Sequence, residues 1–168
     1  MSEARNVSPP NAQARNAGPL RALLLRVGTN ERVALSEVLD VNATQNAVAA
    51  RQALGGFAAD VVVADVGATE REAMALLAYL RDPVETPRRG LPFICLLAES
   101  SPERVRRLIK SGVDNVMIKP ISVSGLCELA QYLCDNPMPQ VSVPKYIGPD
   151  RRRLPMDSYT GPTRRQGE

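Results

Sequence analysis

From Pro19 to Asn136, short apolar runs alternate with amphipathic stretches. RALLLRV (21–27), DVVVADV (60–66) and LPFICLLA (91–98) are almost unbroken apolar runs, as expected of strands buried on both faces. NVMI (115–118) reads as a further strand, and VNATQNA (41–47) as a weak one. ERVALSEVLD (31–40) spaces Val33, Leu35, Val38 and Leu39 as a helix does, after a turn and cap at Gly28-Thr29-Asn30. AVAARQALGG (47–56) predicts a helix stopped by two glycines in the left-handed region. Thr69-Glu70-Arg71-Glu72 has the form of a capping box, opening a helix over 70–81 that Asp82-Pro83 ends. Ser101-Pro102-Glu103 supplies an N-cap, a first-turn proline and a first-turn acid for a helix that stops at Gly112. VSGLCELAQYLCD (123–135) puts Leu126, Leu129, Ala130 and Leu133 on one helical face.

The strand–helix unit therefore occurs five times with short loops. Parallel strands joined by right-handed crossovers predict a (βα)5 doubly wound, five-stranded parallel sheet, an α/β fold over residues 20–136. Ligand chemistry in such sheets gathers beyond the carboxyl ends of the strands. Those ends bring together Arg26 and Val27, Asp65, Leu97 and Lys119-Pro120, so that a carboxylate and an ammonium converge on one edge. The plainer reading of Lys119 is a strand-end side chain that snorkels to water.

Composition narrows the chemistry. The apolar share is 44%, but aromatics are only 4%, so the core is built from Leu, Val, Ala and Ile. With no histidine, a Ser-His or Cys-His nucleophile, a histidine metal ligand and a phosphohistidine are all excluded. Cys95, Cys127 and Cys134 are an odd set without a CxxC pair, read as reduced thiols filling core space in a cytoplasmic protein. No apolar run is long enough to span a bilayer, and the N-terminus has no secretory segment. Residues 1–19 have no apolar period and read as disordered.

Asp65 closing DVVVAD, the segment GVDNVMIKP and the (βα)5 order resemble the receiver domain of response regulators, the CheY-like (flavodoxin-like) family. The resemblance covers roughly residues 20–136. It implies that Asp65 stands at the phosphoacceptor position, that two acids at the end of the first strand hold Mg²⁺, and that a hydroxyl on the fourth strand and the lysine bond the phosphoryl group. Matched residue by residue, Asp65 and Lys119-Pro120 are kept. The acid pair falls on Arg26-Val27 or Val27-Gly28, the hydroxyl on Leu97 and the family's aromatic on Val116. A degenerate pseudo-receiver follows: no metal, no cofactor, no enzymatic activity, and Asp65 paired with Arg26 or Lys119. It would be a stand-alone module of a bacterial two-component phosphorelay, acting by protein contact over Ser101 to Leu133, its partner a histidine kinase or another signalling protein. The alternative is a working phosphoacceptor, using Mg²⁺ and a replacement acid from Glu31, Glu70 or Glu99.

The net charge of +3 resides in the tail: residues 1–144 hold fifteen basic and fifteen acidic side chains, residues 145–168 six and three. Within the tail, residues 137–168, KYIGPDRRR (145–153) and SYTGPTRRQ (158–166) repeat one motif at an offset of thirteen. Tyr146, Gly148, Pro149, Arg151 and Arg152 recur as Tyr159, Gly161, Pro162, Arg164 and Arg165, with Arg153 extending the first basic run. Gly-Pro bends the chain, and the arginines offer forks for carboxylate or phosphate. Three readings compete: a peptide that docks on a protein surface or folds back on its own domain, a solvated basic tail, and a grip on nucleic acid or a cyclic dinucleotide.

Overall fold

The protein is represented by a computed structural model that describes residues 18–67, 70–86, 88–99 and 101–151. The reading of residues 1–17 as disordered lies outside these, as do Thr69, Arg152, Arg153, Tyr159, Arg164 and Arg165.

Five parallel strands form one sheet in the order β2-β1-β3-β4-β5: β1 Arg21–Leu25, β2 Asp40–Thr44, β3 Val61–Asp65, β4 Phe93–Leu97 and β5 Asn115–Ile118. Helices α1 Thr29–Ser36, α2 Ala47–Gly56, α3 Arg71–Arg81, α4 Pro102–Lys110 and α5 Val123–Asp135 follow the strands in turn. This is the doubly wound α/β fold expected from the alternation of runs. Successive strand residues face opposite layers. Leu23, Leu25, Val62, Ala64, Phe93, Cys95 and Leu97 pack with α2, α3 and α4, while Ala22, Leu24, Val61, Val63, Ile94 and Leu96 pack with α1 and α5. The three described cysteines are free, and burial pushes the Cys95 thiol up to about 12.

Two local expectations are corrected. The first helix ends at Ser36 rather than at 40, because Asp40 already pairs with Arg21 across the β1–β2 ladder. Gly55 and Gly56 lie inside α2, which ends at extended Phe57 without a left-handed residue. The capping box over 69–72 rests on Thr69, outside the described residues; Glu70 makes no side-chain cap bond, and Glu72 accepts the Ala47 N–H of α2 at 2.7 Å. Other caps hold as read. Ser101 accepts from the Arg104 N–H at 3.3 Å, and Gly112 ends α4 at φ +100°.

Beyond α5 the chain makes an antiparallel hairpin, β6 Gln140–Val143 and β7 Tyr146–Pro149, joined by Pro144-Lys145. No helix among the described residues is long and apolar enough to cross a membrane.

Candidate functional site

The carboxyl edge of the sheet brings Asp65, at the end of β3, to Lys119, just past β5. The Lys119 ammonium donates to Asp65 Oδ2 and lies 3.1 Å from Glu31 Oε1. The Lys119-Pro120 peptide is cis. Asp65 Oδ1 accepts the Gly67 N–H at 3.0 Å, within the turn that leaves β3. Burial works to lower the Lys119 pKa, but hydrogen bonds to Asp65 and Glu31, with their charges, outweigh it and raise the group above its ordinary range.

Glu31 reaches the cluster from the first turn of α1. Gly28, the N-cap, leaves the space this carboxylate fills: a Cβ at Gly28 would collide with Glu31 Oε2. Arg26 takes no part in holding Asp65. It adopts φ +58°, its side chain is exposed, and its backbone N–H donates to Thr44 O at 2.9 Å. The lysine is thus the partner of Asp65, and of the two expected cations the arginine is set aside by the turn of its own backbone. Leu97 is fully buried in the sheet core, Val116 is half-buried against the same layer, and Pro120 is exposed. Glu99 is exposed in the β4–α4 loop.

Glu70 is committed elsewhere. Arg104 Nε donates to its Oε1 at 2.8 Å, Arg107 Nη2 to the same oxygen at 2.8 Å and Arg107 Nε to Oε2 at 3.1 Å. Arg104 also donates to Gly67 O at 2.5 Å, so α4 clasps the loop after Asp65. The Arg107 hydrogen bond is the main influence lowering the Glu70 pKa, opposed by burial and aided by Arg104.

At this edge the two carboxylates are both bound to the Lys119 ammonium. Hard divalent ions require several oxygen ligands. Here two carboxylates already share one ammonium, and no group of three or more potential metal-binding side chains exists among the described residues.

The opposite edge of the sheet carries a second constellation. Arg81, at the end of α3, is buried with Asp114 at 2.8 Å, and it also donates to the carbonyls of Gly112, Arg89 and Leu91. Asp114 accepts the Phe93 N–H at 2.7 Å. Burial raises the Asp114 carboxyl and lowers the Arg81 guanidinium, each opposed by the partner's charge. An arginine does not give up its proton inside a protein, so Asp114 faces a permanent cation.

On this edge sits the tail hairpin. Gly148 and Gly112 meet backbone to backbone: a Cβ on Gly112 would lie 2.5 Å from Ile147 O, and one on Gly148 would lie 2.7 Å from Gly112 Cα. The Tyr146 hydroxyl donates to Pro149 O at 2.9 Å, and Arg151 donates to the carbonyls of Val113 and Asp114. Of the tail residues singled out in the sequence, Tyr146 and Arg151 are described: Arg151 bonds the receiver across the fold-back, and Tyr146 braces β7. Arg81, Gly112 and Asp114 were missed as its receiving surface. The one available signal was an arginine closing an amphipathic helix that carries Leu76, Leu77 and Leu80 on its buried side.

No protein-family model matches the chain, and no curated protein matches it in sequence. Solved structures do. Chemotaxis response regulator CheY4 of Vibrio cholerae is similar at a TM-score of 0.58 and 17% identity, over 69% of this chain and 99% of that one. The receiver domain of a signal transduction histidine kinase from Syntrophus aciditrophicus gives 0.57 and 22%, over 73% and 96%. The receiver domain of the Francisella response regulator 1452 gives 0.58 and 22%, over 70% and 98%. The chain has the fold of CheY-like response-regulator receiver domains.

Proposed function

We propose that this protein is a receiver-like module of two-component signalling that works in the cytoplasm by protein contact, without phosphorylation of Asp65. The observation that carries this reading is the Lys119 ammonium held between Asp65 and Glu31, beside a β1 end that reads Arg26-Val27-Gly28 and supplies no acid. A carboxylate already bound to an ammonium is a poor nucleophile. Without a third carboxylate the edge lacks the charge that would draw Mg²⁺ against Lys119. The contact surface is the α4–β5–α5 face, where β5 is an edge strand, Ile118 is exposed and Tyr132 of α5 is 62% exposed. A histidine kinase or another signalling protein is the partner. A nucleic-acid role for the first repeat is disfavoured, because Arg151 Nη2 is turned to backbone carbonyls of the receiver.

Incubation with acetyl phosphate and Mg²⁺, followed by intact-mass measurement, tests the reading. The expected result is no hydroxylamine-labile phosphoryl gain. A Mg²⁺-dependent gain on Asp65 that Glu31→Gln abolishes would establish the phosphoacceptor alternative, with Glu31 as its replacement acid.

A further inference from the structure

Four of the residues shared by the two tail repeats, Tyr146, Gly148, Pro149 and Arg151, build the docked hairpin or its contact. Tyr146 donates to Pro149 O within β7, Gly148 allows the backbone to touch Gly112, Pro149 is buried at the end of β7, and Arg151 donates to the Val113 and Asp114 carbonyls. Among the described positions where the repeats differ, Lys145 against Ser158 and Ile147 against Thr160 have exposed side chains in the first repeat, whereas Asp150 against Thr163 is half-buried. The second repeat therefore keeps the tyrosine, glycine, proline and arginine of the docked hairpin and varies two outward side chains and one half-buried one.

The sequence that precedes each motif follows the same pattern. Thirteen residues beyond Val141 and Val143 stand Leu154 and Met156, both apolar. Pro155 falls at the place of Ser142. In the hairpin Asp150 N–H donates to Pro139 O, and Val143 faces Tyr146 across a two-residue turn. The alternation of an antiparallel ladder then turns the Ser142 N–H away from β7, and a proline at that position removes no ladder bond.

We propose that residues 153–166 are a second ligand for the Gly112–Asp114 turn, so that either repeat takes this one site within a single chain. The reach is ample. Between α5 and β6 lie the four residues 136–139, and the second repeat adds thirteen to that tether. Closure entropy scales as the three-halves power of tether length, which disfavours the second repeat by only about ninefold if the contacts are equal. Intramolecular docking also wins over a second copy, because a short tether holds its ligand at an effective concentration near the millimolar range. A partner that captured the first repeat would leave the site to be refilled by the second, and the outward side chains displayed there would change from Lys145 and Ile147 to Ser158 and Thr160.

Amide NMR of the full chain, following Gly112, Val113 and Asp114, tests this. Gly148→Ala blocks the first repeat, since its Cβ would press on Gly112 Cα, and it leaves the receiver core untouched. The expected result is that the three amides of Gly148→Ala stay near their docked positions, whereas Gly148→Ala combined with Gly161→Ala moves them to a new position. A synthetic peptide of residues 153–166 added to the double variant is expected to restore the docked shifts. If Gly148→Ala alone already matches the double variant, or if the double variant does not differ from the parent, the proposal is overturned. Docked shifts in Gly148→Ala that disappear on dilution would place the second repeat on another copy and also overturn it.

Discussion

Lys119 joins two carboxylates of different origin, one from the end of β3 and one from the first turn of α1. Replacing it with alanine leaves Asp65 and Glu31 facing each other without a cation. Hydrogen bonds to charged groups contribute about 1.5–3 kcal/mol each, and the expected loss in urea unfolding is about 1–3 kcal/mol. The sign with pH follows from the raised pKa. The contribution is complete below the unfolded lysine value of about 10.4 and is lost as pH rises through the higher folded value. Asp114→Ala is more severe. It strands Arg81, whose side chain is 3% exposed, and orphans the Phe93 N–H, and removing one member of a buried pair costs about 3–5 kcal/mol. The drop in Tm on Asp114→Ala is expected to exceed that on Lys119→Ala.

Between elements, two joints hold the loops. The clasp of Arg104 and Arg107 on Glu70 ties α4 to the start of α3. Because the Glu70 pKa is lowered, the clasp contributes above the ordinary glutamate value of about 4.3 and fails as pH falls through the lower folded value. Glu70→Gln is expected to mimic that acid state at neutral pH, with faster amide exchange at Gly67 and in the first turn of α4. The second joint is the Gly112 turn. Gly112→Ala meets two penalties, a left-handed φ that costs a side chain about 1–3 kcal/mol and a collision with Ile147 O. Gly148→Ala, which carries only the collision, is expected to destabilise less, as measured by the unfolding midpoint in urea.

At the scale of the whole molecule, the parallel sheet separates two edges. One presents Asp65 and Lys119, the other the Arg81–Asp114 pair and the docked hairpin, with the length of β5 between them. A chain ending at Asn136 is expected to keep its far-ultraviolet circular dichroism, since the sheet and five helices are complete without the hairpin. Its Tm is expected to fall by roughly 5 °C, the size of a shift from about 1 kcal/mol in a domain of this length.

The parallel sheet and its two helical layers were legible in the chain because parallel strands buried on both faces must be apolar along their whole length, and such runs recur between amphipathic segments. The meeting of Asp65 with Lys119 was legible for the same reason: residues at the carboxyl ends of parallel strands share an edge whatever the loops do. The end of α1 was not, since Val38 and Leu39 fit a helical period while the β1–β2 ladder claims Asp40. Nor could the capping box reveal that Glu72 would reach the N-terminus of α2. What the residues alone determined are the elements, the fold class and the doubled Tyr-x-Gly-Pro-x-Arg-Arg motif, all set by periodicity and local chemistry. Only the tertiary structure decided that lysine rather than arginine holds Asp65, that Glu31 fills the space above Gly28, and that the first repeat docks against Gly112. Those outcomes depend on distances between segments far apart in the chain, which packing settles and sequence spacing does not record.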